Sequence, residues 1–437
     1  MKKQLAKFAL TAALTLATTL TLSCGNHTWE EFDEWLNGSS SSEASSSSLR
    51  QSSSSSLRQS SSSSLRQSSS SSEQHSGIIV APLLQTKWSQ SSPYNDLFPM
   101  VNGSRKVTDC GTTAMVQIMK FHNYPPRGKG ESSVVGPTSS IFPSVSVPLT
   151  SLNVAYDWDN MLNEYTSKNP GTEQQRLAVA TIMYHFGLAR GIGGRWESIM
   201  IDNFGYDKSF QIHSREYYSD AEWEAVIRKQ LDLGLPVLYA GKSVANDDPE
   251  DYSTESSHAF VVDGYDNAGK FHINPGWSGS YNGWYSLNDI NLGNGRRYNY
   301  DNQIYINIKP DKGSIGSNEI VLDNFTTSKA TVSQSVQFNV TTQIKSTGIF
   351  LGGQAGVALV DNSGNIVEVI GTKNLVELPP RGKYLDPFTI NCKVPNTVKA
   401  GQYNLRIVTK MNGETDWKIV TQSLPSVPKS IPFTVTE

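Results

Sequence analysis

The sequence predicts an α+β domain followed by an all-β, immunoglobulin-like sandwich, both carried at the end of a long flexible tether. Three observations support this. Between about Gly77 and Pro310 helical patterns come first and strand patterns later, which is the order of an α+β domain and not of an alternating parallel sheet. Beyond Pro310 only short alternating strand patterns remain. Ahead of Gly77 the chain is serine-rich and repeats every eight residues. With 437 residues, a net charge of −3 and 37% hydrophobic residues, the chain is long enough for two ordinary domains. Its charge gives no electrostatic ground for nucleic-acid binding.

Met1-Lys2-Lys3 and the apolar run Phe8 to Leu22 have the charged start and short hydrophobic core of an export signal, residues 1–24. The run is too short and too soon interrupted to span a membrane. It ends Leu20-Thr21-Leu22-Ser23-Cys24-Gly25, which resembles the lipobox of bacterial lipoproteins, with Thr21 at the usual leucine position and Leu20 one place early. That resemblance implies lipidation at Cys24 and a chain anchored to the membrane at the cell envelope or surface; otherwise the product is secreted. Residues 25–77 form the tether. Its unit Ser-Ser-Ser-Ser-Ser-Leu-Arg-Gln, with Leu49, Leu57 and Leu65 eight apart, supplies too few apolar residues for a core. About forty such residues reach roughly 35 Å.

Within residues 78–310, Cys110 heads an expected helix whose buried face is Ala114, Met115, Ile118 and Met119, capped by Thr108 or Asp109. Thr172 with Gln175 starts a second helix through Leu177, Ile182 and Phe186. Ser219-Asp220-Ala221-Glu222 is a capping box for a third, carrying Trp223, Val226, Ile227 and Leu231. Strands follow at Pro236–Ala240, His258–Tyr265, Lys270–Asn274, Gly283–Leu287 and Gln303–Ile308. In residues 311–437 strands are expected at Glu319–Phe325, Ser335–Ile344, Ala355–Val360, Ile366–Ile370, around Cys392, and at Tyr403–Thr409, Lys418–Thr421 and Pro432–Val435. Asn362-Ser363-Gly364-Asn365 is the expected hairpin turn.

The chain has three cysteines. Cys24 belongs to the signal or anchor, and Cys392 alternates with Phe388, Ile390 and Val394 as a small core residue. No disulfide is expected. Cys110 lies in the first turn of its helix, where backbone N–H groups and the helix dipole favour a thiolate. Among seven histidines, His122 is twelve residues along the same helix, roughly 18 Å away, and is too distant to serve as its base. His185 reads as a core residue and His213 lies in a polar connection. His258 opens the apolar strand Ala259-Phe260-Val261-Val262, and the chain returns through Asp266-Asn267-Ala268-Gly269 to Asn274. A thiolate on a helix, an imidazole on a strand and an amide to orient it follow the logic of a nucleophilic triad. His272 is the lesser candidate for the base.

Cys110 to Pro125, His258 to Tyr265, and Phe271-His-Ile-Asn274-Pro-Gly-Trp277-Ser-Gly resemble, in order, the nucleophile, histidine and asparagine segments of the streptopain family of papain-like cysteine peptidases. The resemblance covers about Ala81 to Pro310. It implies a two-lobed papain-like domain in which Cys110 is the nucleophile, His258 the general base and acid, and Asn274 a helper. Asp109, Gly111 and Trp277 would shape the site. The implied product is an extracytoplasmic endopeptidase acting on protein or peptide substrates, with no cofactor and no metal. Three positions depart from the family pattern: Pro275 follows the asparagine where tryptophan is usual, Asp109 replaces a glycine, and Ser104 replaces a glutamine six before the cysteine. These departures also fit a catalytically weak or inactive surface binding protein. A third reading gives the sandwich the main role, with Trp417 and Tyr403 as a stacking platform. Between Cys24 and Gly77 only tether is expected, so latency would rest on export, substrate access or a separate proteinaceous inhibitor.

Overall fold

The computed structural model describes residues 77–134, 146–191, 195–243, 256–293, 296–384 and 386–437. The residues expected to form an export signal, Cys24 and the serine-rich repeats lie outside the described residues. Among the described residues no helix is long and apolar enough to cross a membrane.

Strands β1 (Ile78–Val80), β2 (Met100–Val101), β3 (Ser104–Arg105), β4 (Glu131–Val134), β5 (Val147–Ser151), β6 (Gln211–Ser214), β7 (Val237–Ser243), β8 (Ser256–Asp266), β9 (Phe271–Asn274), β10 (Gly283–Tyr285) and β11 (Tyr300–Ile306) occupy the first unit. Two small hairpins pair β2 with β3 and β4 with β5. The remaining strands form one antiparallel sheet in the order β10-β9-β8-β7-β11-β6, with β1 paired to the far end of β8 at Ile78↔Asp266. All eleven residues of β8 are buried, which places it at the centre of the unit.

Among the described residues three helices of more than ten residues flank this sheet, and each starts where its capping chemistry lies. Helix α1 (Cys110–His122) is capped by Asp109, α2 (Glu173–Arg190) by Thr172 and α3 (Asp220–Asp232) by Ser219; the last two carry complete capping boxes. Side-chain alternation along the strands sorts the helices onto opposite faces. Leu238, Ala240, Ala259, Val261 and Tyr305 pack with α1 and α2. Val237, Tyr239, Phe260, Val262 and Ile304 pack with Trp223, Ile227 and Leu231 of α3.

The C-terminal strands are β12 (Ile320–Thr327), β13 (Thr331–Ser333), β14 (Gln337–Ser346), β15 (Phe350–Val360), β16 (Ile366–Leu378), β17 (Phe388–Lys393), β18 (Gly401–Met411), β19 (Lys418–Ile419), β20 (Gln422–Ser423) and β21 (Ile431–Thr436). They form one sheet ordered β17-β14-β12-β20 and another ordered β13-β21-β18-β15-β16. Alternate residues of both sheets, among them Phe338, Val340, Val357, Leu359, Ile390, Cys392 and Ile407, share one apolar core. The turn between β15 and β16 is closed by Asp361, whose Oδ1 accepts from the backbone of Ser363 and Asn365 at 2.9 Å each, with Gly364 at φ +88°. Strand β16 runs eight residues beyond the expected Ile370 because it stays paired with β15 as far as Leu378↔Phe350.

The two units are joined at the β6 edge of the first sheet. Ile212 N–H donates to the Thr347 carbonyl at 2.7 Å, Gln211 bridges Gly348, and Gln211 Nε2 donates to Ser317 Oγ at 2.7 Å. An otherwise unpaired strand edge is thereby covered. The Tyr217 hydroxyl donates to Asp323 Oδ1 at 2.6 Å across the same junction, and the Lys345 ammonium lies over the Tyr217 ring. Tyr217→Phe removes a charge-assisted bond and should lower stability by about 1.5–3 kcal/mol in urea unfolding. An unchanged midpoint would show that the contact contributes nothing.

Candidate active site

Helix α1 begins at Cys110, and Asp109 sets that boundary. Asp109 Oδ1 accepts from Thr112 N–H at 2.8 Å, and Oδ2 accepts from Thr112 Oγ1 at 2.5 Å. The carboxylate also pairs with the Arg190 guanidinium at the end of α2, with both side chains almost fully buried. Arg190 lies over the Trp196 ring, 4.3 Å from its centroid. A Cβ on Gly111 would sit 3.0 Å from Arg190, 3.1 Å from Asp109 and 3.2 Å from Trp196, so glycine leaves the space in which the pair forms. Asp109 is therefore a cap and an ion-pair partner as well as a neighbouring charge.

The Cys110 thiol is buried and is met by the backbone N–H groups of Ala259 and Gly111. Ala259 directly follows His258, so the strand brings the imidazole-bearing residue to the helix start. Burial is the main force on the thiol and, with the Asp109 charge, pushes its pKa up to about 11; the two N–H groups and Arg190 act in the opposite direction. Burial likewise holds the His258 imidazole down at about 4, against the pull of the Pro275 carbonyl. Burial thus favours the uncharged form of each group.

His258 is the third residue of β8, which starts two residues earlier than its apolar pattern suggests. Its Nε2 lies 2.9 Å from the Pro275 carbonyl oxygen and donates to it. Trp277 stacks on the ring at 4.7 Å between centroids and 26° between planes, and Tyr298 approaches at 5.5 Å. Ring orientation thus comes from a backbone carbonyl and an aromatic cover.

Asn274 does not hold His258. Its Nδ2 donates to the Thr86 carbonyl at 2.8 Å and to Gln117 Oε1 at 3.2 Å, while its Oδ1 accepts from Gly276 N–H at 3.0 Å. The cause is register. Asn274 pairs with Val261, three residues along β8 from His258, a distance of roughly 10 Å. The expected role of Asn274 as the orienting amide is corrected accordingly: it shapes the turn that delivers Pro275 to the ring.

The other histidines have partners elsewhere. His272 Nδ1 meets the buried Asp263 at 2.6 Å, and Asp263 Oδ2 also accepts from Leu84 N–H at 2.9 Å. His122 meets the Ile308 carbonyl at 2.8 Å, and His185 meets the Tyr156 hydroxyl at 3.1 Å. His213 sits on β6 between Tyr218 and Gln211. Ser104 is exposed on β3. Among the described residues no group of His, Cys, Asp and Glu could hold a metal ion.

A thiol-headed helix packed against a strand that presents an imidazole is the arrangement of a papain-like cysteine peptidase. A profile of the peptidase C10 family matches residues 88–285. Streptopain of Streptococcus pyogenes is 29% identical over 238 residues, covering 49% of this chain and 57% of that protein. The thiol protease/hemagglutinin PrtT of Porphyromonas gingivalis is 29% identical over 254 residues, 53% of this chain and 28% of PrtT. The structure of active wild-type interpain A, a cysteine protease of Prevotella intermedia, is 30% identical and covers 53% of this chain and 95% of its own, with a TM-score of 0.46. Over residues 88–285 this chain is similar to peptidase C10 proteins. It spans little more than half the length of the streptopain sequences it matches.

Two outcomes follow from these electrostatics. Arg190→Met leaves the Asp109 carboxylate buried without its partner and should cost about 3–5 kcal/mol of stability by denaturant unfolding, with slower alkylation of Cys110. A loss under 1 kcal/mol would contradict the buried pair. The imidazoles of His185, His213 and His258 are held by burial at about 4, 3 and 4, all below the ordinary 6.5. As pH falls the unfolded chain takes up these protons first. Their contribution to stability is therefore complete above about 6.5 and is lost as pH drops through the folded values. Urea midpoints should be level just above pH 7 and decline from about 6.5 to 4. A flat profile across that window would contradict the buried neutral rings.

Proposed function

We propose that the chain is an extracytoplasmic cysteine endopeptidase acting on protein or peptide substrates through Cys110 and His258. The observation that carries this reading is the meeting of the Cys110 sulfur with the backbone N–H of Ala259, one residue from an imidazole whose Nε2 is already committed to Pro275. His258 Nδ1 is left to accept the thiol proton. Sulfur then bonds to the scissile carbonyl carbon, and the imidazolium gives its proton to the departing amine as the C–N bond breaks. Water, deprotonated by His258, releases the acyl group and restores the thiol. The N–H of Cys110, in the first turn of α1, supplies a donor for the oxyanion. Trp277, stacked on the His258 ring, covers one face of it.

The finer architecture belongs to the same proposal. We read residues 78–310 as two lobes, helices α1 and α2 on one side and the α3 face of the sheet on the other. Residues 311–437 are read as an immunoglobulin-like sandwich. Cys24 is the proposed lipid attachment point, and the serine-rich tether holds the enzyme away from the envelope. A separate inhibitor protein is one proposed source of latency. The buried, neutral thiol beside Asp109 favours a second reading, a surface binding protein of low or no turnover.

Casein cleavage under reducing conditions separates the two. The 77–437 chain should cleave, Cys110→Ala should lose at least a thousandfold in rate, and an epoxide inhibitor should label Cys110 in the former only. No cleavage and no labelling of the unmutated chain would leave the binding reading.

A further inference from the structure

Gln117 is a polar residue on the apolar side of α1, fully buried among Met115, Val116, Ile118 and Met119. It lies seven residues, two helical turns, beyond Cys110 on the same helix, and so is on roughly the same face. Three donors from two other segments converge on its Oε1. They are Thr86 Oγ1 at 2.9 Å, Trp88 N–H at 3.3 Å and Asn274 Nδ2 at 3.2 Å. Asn274 in turn holds Gly276 N–H, and the peptide between them carries the Pro275 carbonyl that receives His258. Gly276, at φ +78°, lets this turn press against the helix: a Cβ there would sit 3.1 Å from Thr113 and 3.7 Å from Gln117 Nε2. Gln117 Nε2 itself is buried with no hydrogen-bond partner. The side chain serves as an acceptor only.

We propose that Gln117 is a positioning residue that fixes the His258 imidazole relative to the Cys110 sulfur, through Asn274 and the Pro275 carbonyl. The helix that carries the nucleophile thereby also carries the group that sets its base. Sulfur and imidazole are located from one rigid element, and the leading segment Thr86–Trp88 is clamped by the same oxygen. The proposal rests on Cys110 and His258 acting as a pair, as in the reading above.

Because the role needs an acceptor and no donor, the variants separate it from packing. Gln117→Met keeps the length and removes the acceptor. Gln117→Glu keeps two acceptor oxygens for the same three donors. Expected for Gln117→Met is a fall of roughly a hundredfold in kcat with KM little changed, since a displaced base costs about that much. Its lower pH limb of kcat/KM should also shift. Gln117→Glu should recover most of the loss. If Gln117→Met does not fold, Gln117→Asn, one methylene too short to reach, takes its place. Iodoacetamide alkylation of Cys110 reads the same geometry without turnover. His258→Ala should slow it, Gln117→Met should slow it equally, and Gln117→Glu should not.

Kinetics of Gln117→Met within threefold of the unmutated chain, or equal losses in Gln117→Met and Gln117→Glu, would overturn the proposal. So would alkylation that is indifferent to His258→Ala. An unmutated chain that fails to cleave casein but shows the graded alkylation would sink the peptidase reading and leave the positioning role standing.

Discussion

The buried contact between Asp109 and Arg190 is the constraint on which the candidate site depends. A carboxylate one residue ahead of the Cys110 sulfur opposes a thiolate there, yet the same carboxylate starts the helix whose dipole favours it. The conflict is reduced because the carboxylate is fully engaged, by the Thr112 backbone, the Thr112 hydroxyl and the guanidinium. Arg190 is held over Trp196, so the end of α2 and the Trp196 ring are tied to the start of α1. Gly111 is needed for the same reason: any side chain there would enter the contact.

Much of this was legible from residue order. Capping boxes at Thr172 and Ser219, the alternating C-terminal strands and the thiol at a helix start all depend on neighbours within a few residues, and all appear in the fold. The role of Asn274 was not legible, because it depends on register. Antiparallel pairing of Val261 with Asn274, continued past the strand end, brings Trp277 level with His258, and it is Trp277 that covers the ring. The hairpin turn alone does not reveal that offset, since a bulge between Val262 and Gly264 shifts the ladder by one residue. Gln117 carries a signal in the sequence itself, an amide within a run of apolar helical residues. Strand β6 has no alternating apolar pattern, as its four residues mix Gln, His and Ser with a single isoleucine.

The C-terminal unit has its own apolar core, distinct from the two that flank the first sheet. Its junction with the first unit is nevertheless specific and polar. Gln211, Ile212 and Tyr217 meet Ser317, Thr347 and Asp323 at the edge strand, and Lys429 reaches Glu222 at the start of α3. The edge that would otherwise recruit another chain is occupied from within the molecule.

The placement of β1 has a mechanical consequence. A pull transmitted along the backbone ahead of Gly77 arrives at the end of β8 remote from His258, where Asn267 N–H meets the Gly77 carbonyl. Ladder bonds to Asp266 and Tyr265, then those of Leu83 and Leu84 to Asp263, come next in series before Thr86 is reached. The seam therefore stands between the leading backbone and the segment that Gln117 and Asn274 hold at Thr86.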